Sequence, residues 1–190
     1  MSLLLESIRI TDGCWQNTAC HRARMSSSTE ALFGKAFSVD IDSIVIPADF
    51  LSGVVKCRIL YDTSVRLIEF EHYTPRIVHS LQLVNSDDID YSHKWADRTA
   101  LNELLKQKGD ADDIVIVKNG QITDMSYANI VLKLNGELFT PKNCLLKGTR
   151  RQQLLNEGFI SERVLTVSDY NRAESVILIN AMLGLENVVF

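Results

Sequence analysis

The sequence predicts an α+β protein in two lobes, on three observations. Two Asn-Gly dipeptides, Asn119-Gly120 and Asn135-Gly136, each lie between apolar runs, a strong short-range signal for a β-hairpin. Runs rich in β-branched and aromatic residues, Lys56 to Tyr61, Val65 to Tyr73 and Ile77 to Val84, fill much of the first half, and helical patterns occur in both halves. The polar segment Asn85 to Asp90 (NSDDID) cannot bury itself, so it is the expected linker between lobes of residues 1–86 and 87–190.

Leu3 to Ile10 reads as a strand, folded back by the turn Asp12-Gly13 onto Cys14 to Asn17. Thr18 to Leu32 reads as a helix capped by Asn17 or Thr18 and stopped near Gly34. Pro47 suits the start of a short helix over Ala48 to Val54. Beyond the linker, Asp97 to Lys108 sets Leu101, Leu104 and Leu105 on one helical face and ends at Gly109. A meander comes after it: Ile114 to Lys118, Gln121 to Thr123, Ala128 to Leu134 and Leu138 to Thr140. Next come a helix from Thr149 to Glu157 with Gly158 at its end, a strand Arg163 to Val167, a turn or helix Ser168 to Ala173, and a strand Ser175 to Ile179.

Composition narrows the function. With 46% hydrophobic residues in 190, the chain can bury a core, and a net charge of -4 without charge runs offers nothing to a nucleic-acid backbone. No stretch reaches the roughly 20 apolar residues that span a bilayer, and MSLLLESIRI has no basic region ahead of its apolar patch, so a cytoplasmic protein without membrane partners is expected. The four cysteines, Cys14, Cys20, Cys57 and Cys144, are widely spaced with no CxxC pair, which indicates free thiols rather than disulfides or a metal site. There is no GxSxG, HExxH, P-loop or GxGxxG.

The order of several weaker features carries more. Asp113 to Leu155 (DIVIVKNGQITDMSYANIVLKLNGELFTPKNCLLKGTRRQQLL) contains an NG turn, an acidic residue, an Asn five residues later, a second turn leading to Thr140-Pro141, and LxG with an Arg opening a helix. That pattern resembles the class IV aminotransferase family, the fold type IV pyridoxal phosphate enzymes, which includes branched-chain and D-amino-acid aminotransferases and 4-amino-4-deoxychorismate lyase. The resemblance runs from about Leu3 to Val188 and is strongest from Tyr91 onward.

The resemblance implies a two-lobed fold, with the cofactor in the cleft between the lobes and a homodimer completing the pocket. It also implies a role for each of several residues. In His93-Lys94-Trp95-Ala96-Asp97-Arg98, Lys94 would carry pyridoxal 5'-phosphate as a Schiff base and then act as base and acid at the substrate Cα. Lys94 followed four residues later by Arg98 is closest to the lyase branch. Asp124 takes the place of a glutamate that faces the pyridine nitrogen; it is one methylene shorter, and taken alone it reads as a solvated aspartate beside a hairpin. CHRARM resembles the family's HxxR motif, which makes Arg24 the phosphate-holding guanidinium, with Arg22 its neighbour on the same helix. Gly148, Thr149 and Arg150 open a helix whose N–H groups would bind the phosphate; the family often has Thr where Arg150 stands.

Asn180 and Ala181, before Met182, resemble a lyase-like NAL segment lining the phosphate and substrate side, although Asn180 alone reads as a strand-end turn former. Ser7 falls where the family commonly has a substrate-side threonine, and serves equally well as an ordinary strand residue. Asn129 and Tyr127 would support the pocket or simply occupy the sheet. No metal is implied.

Against family members the chain looks shortened ahead of its first strand and between the small lobe and the lysine, so substrate-side residues do not carry over. The activity implied is a lyase acting on a small-molecule amino substrate, 4-amino-4-deoxychorismate, in folate biosynthesis. The alternatives are an aminotransferase for a branched-chain or D-amino acid and a degenerate binding protein that has lost its cofactor.

Overall fold

The computed structural model of the chain describes residues 3–190, which fall into two units. The first runs to Pro75 and takes in His93–Asp97; the second comprises Arg76–Ser92 and Arg98–Phe190. This differs from a division at residue 86, and hydrogen bonding is the reason. Strand β5 (Leu81–Asn85) pairs in parallel with β6 (Asp113–Lys118), which ties the NSDDID segment to the second unit. Asp87 accepts from the Asn119 N–H at 2.7 Å, and Lys118 Nζ donates to the Ile89 carbonyl at 2.6 Å. The segment around Lys94 is held instead by β1: Leu5 N–H donates to the Lys94 carbonyl at 2.9 Å and Ala96 N–H to the Leu3 carbonyl at 2.8 Å.

In the first unit a four-stranded sheet has the order β2-β1-β3-β4, with β1 at Leu4–Thr11, β2 at Cys14–Trp15, β3 at Val54–Tyr61 and β4 at Val65–His72. Asp12 and Gly13 both take positive φ, the geometry a tight hairpin needs, so the Asp-Gly signal works as expected. Antiparallel register puts Leu4 opposite Tyr61, Ile8 opposite Cys57 and Ile10 opposite Val55. Ile8, Ile10, Ile41, Val55, Cys57 and Ile59 form one core cluster, while Leu4, Tyr61 and Met25 of helix α1 (Thr18–Phe33) form another. The opposite face is polar, with cross-strand pairs Lys56–Glu71 and Arg58–Glu69.

In the second unit a seven-stranded mixed sheet has the order β10-β9-β8-β7-β6-β5, with β11 (Ser175–Ile179) on β8. Strands β7 (Gln121–Met125), β8 (Asn129–Leu134) and β9 (Glu137–Pro141) form the expected meander, with Asn119 and Asn135 at positive φ in its turns. Nearly continuous burial along β6, β7, β8 and β11 marks a central sheet. Helix α2 (Thr99–Leu105) precedes β6, and Leu154 of helix α3 (Thr149–Asn156) packs with Val131, Ile177 and Ile179. Strand β10 (Ser161–Arg163) and helix α4 (Val167–Asn171) come after α3. No helix among the described residues is long and apolar enough to cross a membrane.

Three local expectations fail for physical reasons. Ala48 to Val54 is only a 3₁₀ turn over Ala48–Phe50, because Gly53 is bonded on both sides to Asp12 and Val54 joins β3. Ile77 to Ser80 stays outside the ladder, since the Asp112 carboxylate captures the N–H groups of His79 and Ser80. Arg163 to Val167 is not one strand, because Thr166 and Asp169 close a capping box that starts α4.

Asp113, fully buried at the start of β6, is bonded to Arg76, to Ser126 Oγ at 3.0 Å and to the Ile114 N–H at 2.8 Å. The Arg76 guanidinium also lies 4.8 Å from the centre of the Tyr127 ring. Asp113→Ala strands Ser126 and half-exposed Arg76, so its expected cost is about 2–4 kcal/mol, measured as a lower urea midpoint with an unchanged slope.

Candidate functional site

Side chains alternate along β1, so Leu4, Glu6, Ile8 and Ile10 share the buried face and Ser7 takes the other. Glu6 is therefore a carboxylate in an otherwise apolar row. Helix α1 brings two partners to it. Arg24 donates from Nε to Glu6 Oε1 at 2.9 Å and from Nη2 to Oε2 at 2.5 Å, while His21 Nδ1 lies 2.5 Å from Oε2. Burial alone would raise the Glu6 carboxyl, but the Arg24 charge, followed by the His21 hydrogen bond, holds it down at about 2. Burial is also the first cause lowering His21, with the Arg24 and Lys94 charges adding to it against the pull of Glu6. A neutral imidazole donating from Nδ1 fits that balance.

Lys94 lies on the segment that runs antiparallel beside β1. A bridge between Leu4 and Trp95 fixes the register and sets Lys94 level with Leu5, two residues from Ser7. Trp95 packs against the Leu4, Met25 and Tyr61 cluster. Arg24 is thus grouped with Glu6 and His21, whereas Ser7 lies opposite Arg58 on the polar face of the sheet.

In the second unit, Asp124 sits at the one residue pair that joins β7 to β8, directly across from Asn129. Its Oδ1 accepts from Asn129 Nδ2 at 2.8 Å and its Oδ2 from the Leu146 N–H at 2.8 Å. Asn129 Nδ2 also donates to the Leu146 carbonyl at 2.8 Å. Asp124 is buried rather than solvated at a turn, and burial pushes its carboxyl up to about 6 against the pull of these donors and of the Arg151 charge.

Gly148 stands at the N-cap of α3, and a Cβ there would come within 1.9 Å of Asn129 Oδ1, so only glycine lets the helix start this close to the Asp124–Asn129 pair. Thr149 is buried in the first turn of α3, where main-chain N–H groups lack intrahelical acceptors. Arg150 extends along the helix to Gln153 Oε1 at 2.9 Å. Asn180 spends its side chain on its own turn, accepting from Met182 and Leu183 N–H groups at 2.8 and 3.1 Å, with Ala181 inside that turn. Its Nδ2 reaches the Tyr127 carbonyl at 3.4 Å.

Two buried charges escape a reading by motif. Glu6 is one; Arg151 is the other, 2% exposed, donating from Nη2 to the Pro141 carbonyl at 2.9 Å and to Glu162 at 2.6 Å. Both had a signal in periodicity. Glu6 alternates with Leu4 and Ile8, and Arg151 precedes Leu154 and Leu155 at the i+3 and i+4 spacing of an apolar helix face.

Taken unit by unit, these residues have the chemistry that parts of pyridoxal phosphate would need. Lys94 offers an amine for an aldehyde and Asp124 a buried carboxylate for a ring nitrogen. Arg24 in the first unit and the opening turn of α3 in the second each offer N–H donors for a phosphate. The hydrogen bonds to the Asp124 carboxylate come from neutral donors, Asn129 and the Leu146 N–H, so a protonated ring nitrogen would add a directly bonded cation to the more distant Arg151 charge.

Comparison with known proteins points the same way. The sequence pattern of the amino-transferase class IV family matches residues 57–189. An uncharacterized protein of Haemophilus influenzae is 36% identical over 186 residues, spanning 96% of this chain and 98% of that protein. The crystal structure of a proposed 4-amino-4-deoxychorismate lyase from Haemophilus somnus 129pt is 34% identical, with a TM-score of 0.91 over 97% of this chain and 98% of its own. A hypothetical aminotransferase from Mycobacterium tuberculosis in a PLP-bound form shares the fold alone, at 15% identity and a TM-score of 0.76, covering 95% of this chain and 78% of that one. The chain belongs to the amino-transferase class IV family of pyridoxal phosphate-dependent enzymes.

Proposed function

We infer that the chain is a pyridoxal phosphate-dependent lyase that converts 4-amino-4-deoxychorismate to p-aminobenzoate and pyruvate. The observation that carries this reading is the likeness at 34% identity, over nearly the whole of both chains, to the proposed lyase from Haemophilus somnus. Arg98, four residues after Lys94, and the Asn180-Ala181-Met182 turn add support.

The cofactor, when bound, supplies an electron sink conjugated to the substrate amine. Lys94 would hold it through its amine and, once the substrate amine is bound in its place, would take the proton from the ring carbon that bears that amine. The bond from the neighbouring ring carbon to the ether oxygen would then break with the oxygen keeping the electron pair, the ring becoming aromatic and the released enolpyruvate taking up a proton to give pyruvate. Asp124 would keep the cofactor ring nitrogen protonated. Arg24, with the N–H groups and hydroxyl of Gly148 and Thr149, grips the phosphate, and Asn129 fixes the Asp124 carboxylate. Ser7 is assigned to the substrate side, and a homodimer is the expected assembly.

An aminotransferase is the second reading, favoured by the family to which the chain belongs. It would return the proton to the cofactor and require a keto-acid acceptor. Incubation with aminodeoxychorismate separates the two. Pyruvate release without an acceptor is the expected result; conversion to the pyridoxamine form instead would replace the lyase reading with transamination. Borohydride reduction of the loaded protein should leave a cofactor adduct on the peptide containing Lys94, and Lys94→Ala should abolish it. Protein that stays colourless with pyridoxal phosphate and yields no adduct would favour a cofactor-free binding protein.

Asp124 gives a pH test. Its carboxyl is held at about 6, above its ordinary 3.8, so the stabilisation it gives by keeping a proton is complete below about pH 4 and lost as pH rises to about 6. That shift of roughly two units corresponds to about 3 kcal/mol. Urea unfolding of the cofactor-free protein from pH 4 to 7 should therefore show Asp124→Asn gaining about 3 kcal/mol on the wild type. A pH-independent difference would contradict the burial assigned to Asp124.

A further inference from the structure

We propose that Glu6 is the positioning residue for the phosphate grip: by clamping one edge of the Arg24 guanidinium it sets where that cation can meet an anion. This deepens the proposed function and rests on Arg24 holding the cofactor phosphate. Neither the family pattern, which begins at residue 57, nor the motif around Arg24 assigns Glu6 any part.

The geometry is that of a buttress. Glu6 is fully buried, Arg24 is 12% exposed, and the two meet through two roughly parallel hydrogen bonds, Nε to Oε1 and Nη2 to Oε2. A planar guanidinium held by two bonds on one edge has both its position and its plane fixed. His21, 1% exposed, fixes the carboxylate in turn, from the preceding turn of the same helix. The strand fixes the other end, because Glu6 lies between Leu4 and Ile8, both fully buried, in a strand paired with β3 along its whole length. Glu6 therefore has little freedom, and Arg24 inherits its constraint. The same carboxylate lets Arg24 stay a buried cation. Without it, a flexible cation at this depth gains by swinging toward water.

Glu6 also opposes phosphate binding by its own negative charge, so the sign of its effect must be decided. A neutral glutamine can accept from only one of the two Arg24 donors and turns its own NH₂ against the other. The guanidinium then loses its edge-on clamp and its counter-charge together. We take this loss to exceed the relief of repulsion, so removal of the charge weakens phosphate binding.

The test compares pyridoxal phosphate with pyridoxal, which lacks the phosphate, by absorbance titration of the wild type, Glu6→Gln, Glu6→Asp, Arg24→Met and the Glu6→Gln/Arg24→Met double variant. The expected result is that Glu6→Gln lowers the preference for the phosphorylated form at least tenfold while pyridoxal affinity changes less than threefold. In the Arg24→Met background the same change should have no further effect on that preference. A purely structural role would weaken both ligands together and persist without Arg24. Should Glu6→Gln fail to fold, Glu6→Asp keeps the charge but cannot reach both donors, and a loss of preference is expected there too. An unchanged or increased preference in Glu6→Gln, or in Glu6→Asp if only that folds, overturns the proposal. Failure of the underlying reading looks different: the wild type would show no preference for the phosphorylated form, or Arg24→Met would retain it in full.

Discussion

The hydrogen bond between Asp124 and Asn129 is the joint on which the second unit depends. One ladder runs β5-β6-β7 and another β10-β9-β8-β11, and they meet at this residue pair. Asn129 lies across from Asp124, pairs with Ile179 of β11, donates to the Leu146 carbonyl, and sits where a side chain on Gly148 would fall. A change at either residue therefore moves two ladders, a loop and a helix start together. For the ring-nitrogen role proposed for Asp124 that would be an advantage, since electrostatic stabilisation is most effective when the charged group need not reorganise. The Leu146 N–H and the Asn129 amide each hold one oxygen, so the aspartate side chain is fixed at both ends of its carboxylate.

The same logic runs through the other buried charges. Glu6 in β1, Arg151 in α3 and Asp113 at the start of β6 each occupy a position that periodicity or burial reserves for an apolar side chain. Burying an ion costs several kcal/mol unless it is paired and hydrogen-bonded. Each here finds its counter-charge within its own unit: Glu6 with Arg24, Arg151 with Glu162, Asp113 with Arg76. Such pairs are poor sources of stability compared with apolar packing, so a charge retained on an apolar face marks where the structure is committed to a fixed electrostatic arrangement.

Elements governed by local rules were legible in the sequence. The Asp-Gly and Asn-Gly turns, helix α1 with Gly34 as its stop, the meander, and α3 ending before Gly158 all fall close to expectation, because turn chemistry and capping act over a few residues. The elements that fell elsewhere are set by distant partners. Asp112 draws His79 and Ser80 out of a strand, and parallel pairing with β6 moves β5 into the second unit; neither can be seen without knowing what lies alongside. Within the candidate site, Lys94, Asp124, Arg24 and Gly148 were singled out only through their order in a family pattern. Glu6 carried a physical signal, as a carboxylate in phase with Leu4, Ile8 and Ile10, that the assignment of roles by motif passed over.

Reversible covalent chemistry at an amine requires a fixed backbone and a movable side chain, and the first unit meets the first requirement around Lys94 by means of β1. The Leu5 N–H holds the Lys94 carbonyl, the Leu3 carbonyl holds the Ala96 N–H, and Trp95 is packed with Leu4, Met25 and Tyr61. The chain thus returns to the first unit for only the short stretch His93–Asp97, and the lysine is at its second position. Glu6 comes directly after the residue that holds Lys94, so two consecutive residues of one strand fix the backbone of the amine and the edge of the guanidinium. A shift of β1 along its ladder by one residue would reverse which side chains face α1, placing Leu5 and Ser7 where Glu6 and Ile8 now lie. The full eight-residue pairing of β1 with β3 is what prevents it, which makes sheet register, more than any single side chain, the condition for the chemistry proposed for this unit.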